Sequence, residues 1–558
     1  MKSLIPSFLL LAVFIGCSSS KTTTDLNLSK HNEFTIYKNL DSLNWFQKGI
    51  DKDGSTRMSI SKWKMQNIQK LRSKEIIVAI IDSPVEINHD LLKNHLWINK
   101  AEIPNNGLDD DSNGYVDDVN GWNFIGTKDN GYLVYSNFEF VRILRACGDL
   151  KTNQFINQEL CNQKEYNRAL KKFREERVYY ENWLKSLEYS VKTYPIATDS
   201  LKHYFPKEDY TYQQLDSMYK KHKINDKTFR QRREDLDFDL GAIIAFMKAR
   251  LDFGEKSLKD VEDSKQEVDS ILNKTLNLKF DDRLLITDSS GKFEKGYGNN
   301  RLSTNTKGKT TTYNHSTKVS GVITMIAPSK IKIMPLAIAA NGDEHDQDIA
   351  MAIRYAVDNR AKIINMSFSK EFALNNDLVY SAMKYAADNN ILLVHGAGND
   401  RFNVDVNPTY PTDIDFQDDA IEVVDNFINV GASTAISDSS LVASFSNYGK
   451  KNVDLFAPGD KIYTSVGDNR YGYDSGTSLA APMVSGTAAL IWSYYPKLTV
   501  QELKQIILDS GTAYDIEVIV PGTKDKKVPF SELSKSGKVL NVYNAMQMAE
   551  KMSKKKRH

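Results

Sequence analysis

The chain is poor in cysteine and histidine, and it carries almost no net charge. Three cysteines in 558 residues permit one disulfide at most. Cys147 and Cys161 form either a bridge or a pair of free buried thiols. Lys and Arg total 73 against 72 Asp and Glu, a net charge of +1. No one-signed field is present to hold nucleic acid. The terminal run Lys554-Lys555-Lys556-Arg557 reads as a solvated tail. Beyond the first 16 residues no segment is apolar enough to span a bilayer. No His-Glu-x-x-His pair exists, which excludes that helical zinc site. Nine histidines are few enough to weigh one by one.

Against these absences stands Asp474-Ser475-Gly476-Thr477-Ser478-Leu479-Ala480-Ala481-Pro482-Met483-Val484-Ser485-Gly486. It sets a serine between small residues where a buried helix should begin. A helix N-terminus offers unsatisfied N–H groups and partial positive charge. Ser478 there can present its hydroxyl while backbone N–H groups face a developing oxyanion. A plain small-residue turn before a core helix is the other reading.

A nucleophilic serine needs a base, and the base needs an orienting carboxylate. After His315 come Val319, Val322, Ile323 and Ile326, at the spacing of a buried helix with the histidine at its N-terminal end. Other histidines lack that setting. His203 and His222 lie among charges, and His345 sits in an acidic loop. His395 falls inside an apolar strand, as a packed core residue, and His558 is the last residue. The candidate carboxylate is Asp82, closing the β-branched run Ile76-Ile77-Val78-Ala79-Ile80-Ile81. Such a run reads as a parallel strand buried on both faces. Its C-terminal end is where open α/β sheets place their sites. A strand-ending turn aspartate is an equal alternative. Lys362–Ser369 and Ile391–Asp400 read as further buried strands, the second ending in Gly396, Gly398 and Asn399. Glycines there let a ligand backbone approach, and the Asn399 amide can donate to an oxyanion. Val453–Gly459 is a fourth strand and turn.

In this order the motifs resemble those of the subtilisin-like serine peptidases, the subtilases. Gly476-Thr477-Ser478-Leu479-Ala480-Ala481-Pro482 is similar to the family's serine motif almost letter for letter. Asp82 resembles its aspartate motif, Asn399 its oxyanion asparagine, and His315 the first histidine of its His-Gly-Thr-His motif. The chain order Asp, His, Ser is that of subtilisin. An α/β-hydrolase would need Gly-x-Ser-x-Gly and a later histidine. Here the fifth position is Ala480, and only His558 follows.

The resemblance implies a three-layer α/β fold with a mostly parallel central sheet flanked by helices. It implies an Asp82–His315–Ser478 triad with Asn399 in the oxyanion hole, and protein or peptide substrates lying along Ser367, Phe368, Ser369, Gly396 and Gly398. No cofactor is required for that chemistry. Four departures stand out: Ser316 and Ser369 replace glycines, Lys318 replaces the second histidine, and Pro84 replaces the glycine after the Asp-Ser pair. A fold that binds peptides or partners without cutting them is the alternative.

Asp82 and His315 lie far apart for such a family, so a large segment is inserted between them. Residues 129–300 are expected to be a helical insertion that restricts substrate access. Leu236, Leu240, Ile243, Met247 and Leu251 recur at helical spacing, as do Phe173, Tyr180, Trp183, Leu184 and Leu187. Residues 41–128 and 301–550 form the two parts of the α/β core, and 551–558 a basic tail. The loop from Asp109 to Asn120 places Asp109, Asp111, Asn113 and Asp117 at positions 1, 3, 5 and 9, with Gly114 at 6. That is the spacing of an EF-hand-type calcium loop, lacking the glutamate at its last position. A structural calcium is expected there, with an acidic solvated turn as the alternative.

Residues 1–16 read as a signal peptide. Phe14-Ile15-Gly16-Cys17 resembles a bacterial lipobox, making Cys17 the acylated residue and 17–40 a polar tether. The expectation is a lipid-anchored protein of the cell envelope, facing away from the cytoplasm. The sequence sets no oligomeric state.

Overall fold

The computed structural model describes residues 43–47, 58, 60, 73–149, 152, 154–223, 225–286, 295–303, 314–327, 331–416 and 421–556. The expected signal peptide, Cys17 and the tether lie outside them. Two compact units emerge, one running to Val134 and resuming at Arg283, the other Tyr135–Asp282.

The first unit is built on a nine-stranded sheet. In chain order its strands are β1 (Ile76–Asp82), β2 (Trp122–Asn123), β3 (Ile331–Ala337), β4 (Ile363–Met366), β5 (Leu392–Gly396), β6 (Phe427–Ser433), β7 (Leu455–Pro458), β8 (Thr512–Ala513) and β9 (Lys538–Val539). The spatial order is β8-β9-β7-β6-β5-β4-β1-β3-β2. Every pair is parallel except β8 with β9. β1 aligns with β3 from Ile76 opposite Ile331 to Asp82 opposite Ala337. Its six apolar residues are needed because both faces are covered.

On one face lie the histidine helix (His315–Ile326) and the serine helix (Thr477–Tyr494), in a core with Val78, Ile80, Val319, Ile323, Ala480 and Val484. On the other lie Asp346–Asp358 and Asn376–Asp388, packed with Ala79, Ile81, Ile353, Ile364 and Met383. This is the three-layer subtilase arrangement. After β1 the chain goes to one side of that strand for β2 and β3, and then to the other for β4. The crevice at such a reversal, outside the carboxyl ends of the strands, is where ligands bind in open α/β sheets. Asp82 ends β1 there.

Trp45 donates from Nε1 to the Asp460 carbonyl at 3.0 Å, so this N-terminal piece packs on the core. The last helix runs Val542–Lys555. The segment expected as a free tail from 551 is therefore helical through Lys555, and Lys556 pairs with Glu502 at 2.6 Å.

The second unit is helical: Glu139–Cys147, Gln163–Lys202, Tyr212–His222, Phe229–Asp235, Leu240–Asp252 and Leu258–Ser270. Thr211, Thr228 and Ser257 open three of these with capping boxes. Tyr180 and Leu187 are buried in the long helix, and Trp183 stacks on Tyr180. Ile243 and Met247 are buried as their spacing predicts. Leu236 departs from that pattern: it ends the preceding helix at φ 50°, exposed, because the helix its spacing points to starts only at Leu240. Cys147 and Cys161 are joined in a disulfide, with Cα atoms 6.1 Å apart. No described helix is long and apolar enough to cross a membrane.

Candidate active site

Asp82 is 2% exposed at the end of β1. Its carbonyl accepts from the N–H groups of Ile338 and Ala339, and its Oδ1 accepts from Ser83 N at 2.6 Å. His315 is the first residue of its helix, and its Nδ1 lies 2.9 Å from both carboxylate oxygens of Asp82. The helix is pinned beside the strand by Ser316 N donating to Ser83 Oγ and by Glu86 N donating to Thr317 Oγ1. Nδ1 is thus the ring nitrogen turned to Asp82.

Ser478 is the second residue of the serine helix and 8% exposed. Its Oγ donates to the Ser367 carbonyl at 3.0 Å, and Ser367 Oγ donates back to the Ser478 carbonyl at 2.9 Å. Two turns further on, Ser485 Oγ donates to Asn365 Oδ1 at 2.8 Å, and the Asn365 amide donates to Ser367 Oγ. β4 and the serine helix are thus interlocked through side chains buried from water.

Asn399 follows the turn after β5. Its Oδ1 accepts from Thr477 N at 2.9 Å and Thr477 Oγ1 at 3.1 Å, which fixes which way the amide faces. A methyl carbon built on Gly476 would sit 3.6 Å from Asn399 Nδ2 and 3.6 Å from Ser478 N. Both donors therefore border one small space beside the serine.

The residues expected along a substrate are gathered on the same edge, with distinct environments. Ser367 is buried against Ser478, and Phe368 is buried with its ring edge-on to His395. Gly396 faces the Thr477 carbonyl. Gly398 has φ +105°, and a Cβ there would come 2.8 Å from Ser369 Oγ and 2.4 Å from Asn447 Nδ2, so glycine is required. Ser369 thus fills the space against this turn. Ser316 is fully buried next to the base, with no hydrogen-bond partner for its hydroxyl. Lys318 Nζ pairs with Asp474 Oδ2. His395 is a core residue: its Nδ1 meets Asn429 Oδ1 at 3.1 Å, and burial pulls its pKa down to about 4.

Asn447 escaped the sequence reading. Its amide donates to the Ala397 carbonyl, its Oδ1 accepts from Asp400 N and Phe402 N, and its own N–H donates to the Gly398 carbonyl. It braces the whole Asn399 turn. Nothing in the spacing of Ser446-Asn447-Tyr448 announces this.

In the acidic loop, Asp109 and Asp111 are joined by Glu102, which the loop spacing did not name. Carboxylate oxygens of Glu102, Asp109 and Asp111 lie within 4.8 Å of one another. Asn113 Oδ1 accepts from Tyr115 N, and its amide donates to Asp118 Oδ2. Asp117 turns its carboxylate to the N–H groups of Asn106 and Gly107. Glu102 brings in the missing glutamate from upstream. It is buried, its Oε1 accepts from the N–H groups of Asp110 and Asp111, and its Oε2 has no partner. Burial, then the neighbouring Asp111 and Asp110 charges, raise its pKa. Three converging carboxylates with one unsatisfied buried oxygen fit an oxygen-seeking cation.

The sequence model of the subtilase family matches residues 73–532. The chain belongs to the subtilase family. A thermophilic serine proteinase of Bacillus sp. (strain AK1) is 33% identical over 190 residues, 32% of this chain and 43% of that protein. A thermostable alkaline protease of Halalkalibacterium halodurans is 32% identical over 216 residues, 39% of this chain and 54% of that one. The subtilase thus spans about half the length of these relatives. A cold adapted subtilisin-like serine proteinase of known structure overlaps 41% of this subtilase and 74% of its own chain, with 25% identity and a TM-score of 0.32.

Proposed function

We propose that this subtilase is a serine endopeptidase acting outside the cytoplasm on protein or peptide substrates. The observation that carries the reading is His315 Nδ1 at 2.9 Å from both oxygens of Asp82, at the sheet edge where Ser478 and Asn399 also stand. Ser478 Oγ attacks the scissile carbonyl and passes its proton to His315 Nε2. Asp82 holds the Nδ1 proton and stabilises the imidazolium. The oxyanion is bound by Asn399 Nδ2 and Ser478 N. His315 then protonates the leaving amine, and water repeats the sequence to release the acyl group. The Ser478 hydroxyl must first turn from the Ser367 carbonyl toward the imidazole, a tightening expected on substrate binding. An extended substrate would add as a strand beside Ser367–Ser369.

Calcium is the cation we assign to Glu102, Asp109 and Asp111, as a structural ion with no part in the chemistry. An apolar N-terminal run, the Cys17 lipobox and a disulfide suited to an oxidising compartment support an envelope protein anchored by lipid. No feature supports nucleic acid as a partner.

A fluorophosphonate probe with casein digestion tests the reading. Wild type should be labelled at Ser478 and digest casein. Ser478→Ala should do neither while melting at an unchanged temperature. A wild type that binds peptides without labelling would instead be a fold retained for binding. Undiminished cleavage by Ser478→Ala would remove the assignment.

A further inference from the structure

Lys370 lies three residues beyond Ser367 and is the one buried lysine among the described residues. Its side chain is 0% exposed and its Nζ lies 2.7 Å from Asp346 Oδ1, itself 4% exposed. The same ammonium donates to the Glu344 carbonyl at 2.7 Å. Asp346 Oδ2 accepts from the N–H groups of Leu374 and Asn375. The Lys370 backbone pairs in both directions with Tyr410, at 3.0 and 2.8 Å. One residue therefore joins the loop after β3, the loop after β4 and the segment at Tyr410. β1, which ends in Asp82, runs between β3 and β4.

We propose that the Lys370–Asp346 ion pair is a positioning device for extended substrates. It fixes the far end of the Ser367–Lys370 segment, whose near end is fixed by Ser478. The inference rests on the reading of this edge as the one a peptide adds to. A strand advances about 3.3 Å per residue. A peptide that runs antiparallel to this segment, with its scissile carbonyl at Ser478, comes level with Lys370 about three residues upstream of the bond cut. Short substrates end before that point and long ones run past it. A buried ammonium is retained there because removing either partner leaves an unpaired buried charge or unsatisfied oxygens. The segment then loses its shape where a long substrate needs it.

The test compares Lys370→Met with wild type on two substrates, a single-residue ester and a peptide with five residues on the acyl side. The variant should lose about tenfold more kcat/KM on the long substrate than on the ester. In a Ser478→Ala background, Lys370→Met should weaken binding of the same five-residue peptide by about tenfold. If the single variant melts too low to assay, Lys370→Met with Asp346→Leu removes both charges and carries the same comparison. Equal losses on both substrates, or unchanged peptide binding, overturn the proposal. Absent labelling of wild-type Ser478 would refute hydrolysis alone, because the binding arm still reads the role of Lys370.

Discussion

Lys318 Nζ lies 2.6 Å from Asp474 Oδ2, and this pair straps the histidine helix to the strand that leads into Ser478. It occupies the place of the family's second histidine. The histidine helix is also held by Thr464 Oγ1, on the neighbouring strand Ile462–Val466, which donates to the Lys318 carbonyl. Lys318→Met should lower turnover about two- to fivefold, the range of a partly exposed ion pair. Raising salt should slow wild type toward the variant and leave the variant unmoved. Equal turnover of both proteins in dilute buffer would show that the strap has no catalytic part.

Asn399→Ala should cut turnover by on the order of 10²–10³, the loss measured in subtilisin for one such donor. Thr477→Val leaves the Thr477 N–H on Asn399 Oδ1 but removes the hydroxyl, so its loss should be smaller, about tenfold. Hydrolysis of a chromogenic peptide, with melting curves alongside, orders the two variants. A Thr477→Val loss matching that of Asn399→Ala would mean the hydroxyl has a direct role in the reaction.

Glu344 supplies a pH test. Burial chiefly, and then the charge of Asp343, push its carboxyl up to about 8, with Asp82 adding to the rise and Lys370 opposing it. In the unfolded chain the same group releases its proton near 4.5. The stability it contributes is therefore complete below that value and is lost as pH climbs through about 8. A tenfold change in an acid constant is worth about 1.4 kcal/mol, so the loss is of order a few kcal/mol. Glu344→Gln should melt higher than wild type at about pH 9 and no higher at about pH 5. Parallel melting curves across that range would count against a buried, protonated Glu344.

The carboxylate cluster predicts calcium-dependent stability. Chelation should lower the melting temperature, and calcium at a hundred times its dissociation constant should add about 2.7 kcal/mol. Glu102→Gln should blunt that response, while Asp117→Asn should leave most of it, since the three oxygens within 4.8 Å come from Glu102, Asp109 and Asp111. Equal responses in the two variants would place the ion elsewhere.

Asp82, His315 and Ser478 stood out in the sequence because each ends or opens an element with a strong local pattern. β1 is a pure β-branched run, and both helices begin on small residues and continue with apolar ones. Asn399 could be read because glycines mark the turn that carries it. Glu102, Asn447 and the Lys370–Asp346 pair could not, because each acts across sequence gaps with no periodicity to connect them. Asp117 shows a related limit. Loop spacing names oxygen ligands, but it cannot say which carboxylates converge: Asp109 and Asp111 approach Glu102, while Asp117 turns to Asn106 and Gly107. Leu236 fits a helical stripe by spacing alone. The chain turns left-handed there before the next helix starts, and a count of apolar residues does not register that turn.

Ser478 is keyed to Ser367, just past β4, and Ser485, two turns along, is keyed to Asn365 within β4. A rod gripped at two heights can neither spin nor slide. The Ser478 hydroxyl accordingly takes its bearing from the sheet beneath it.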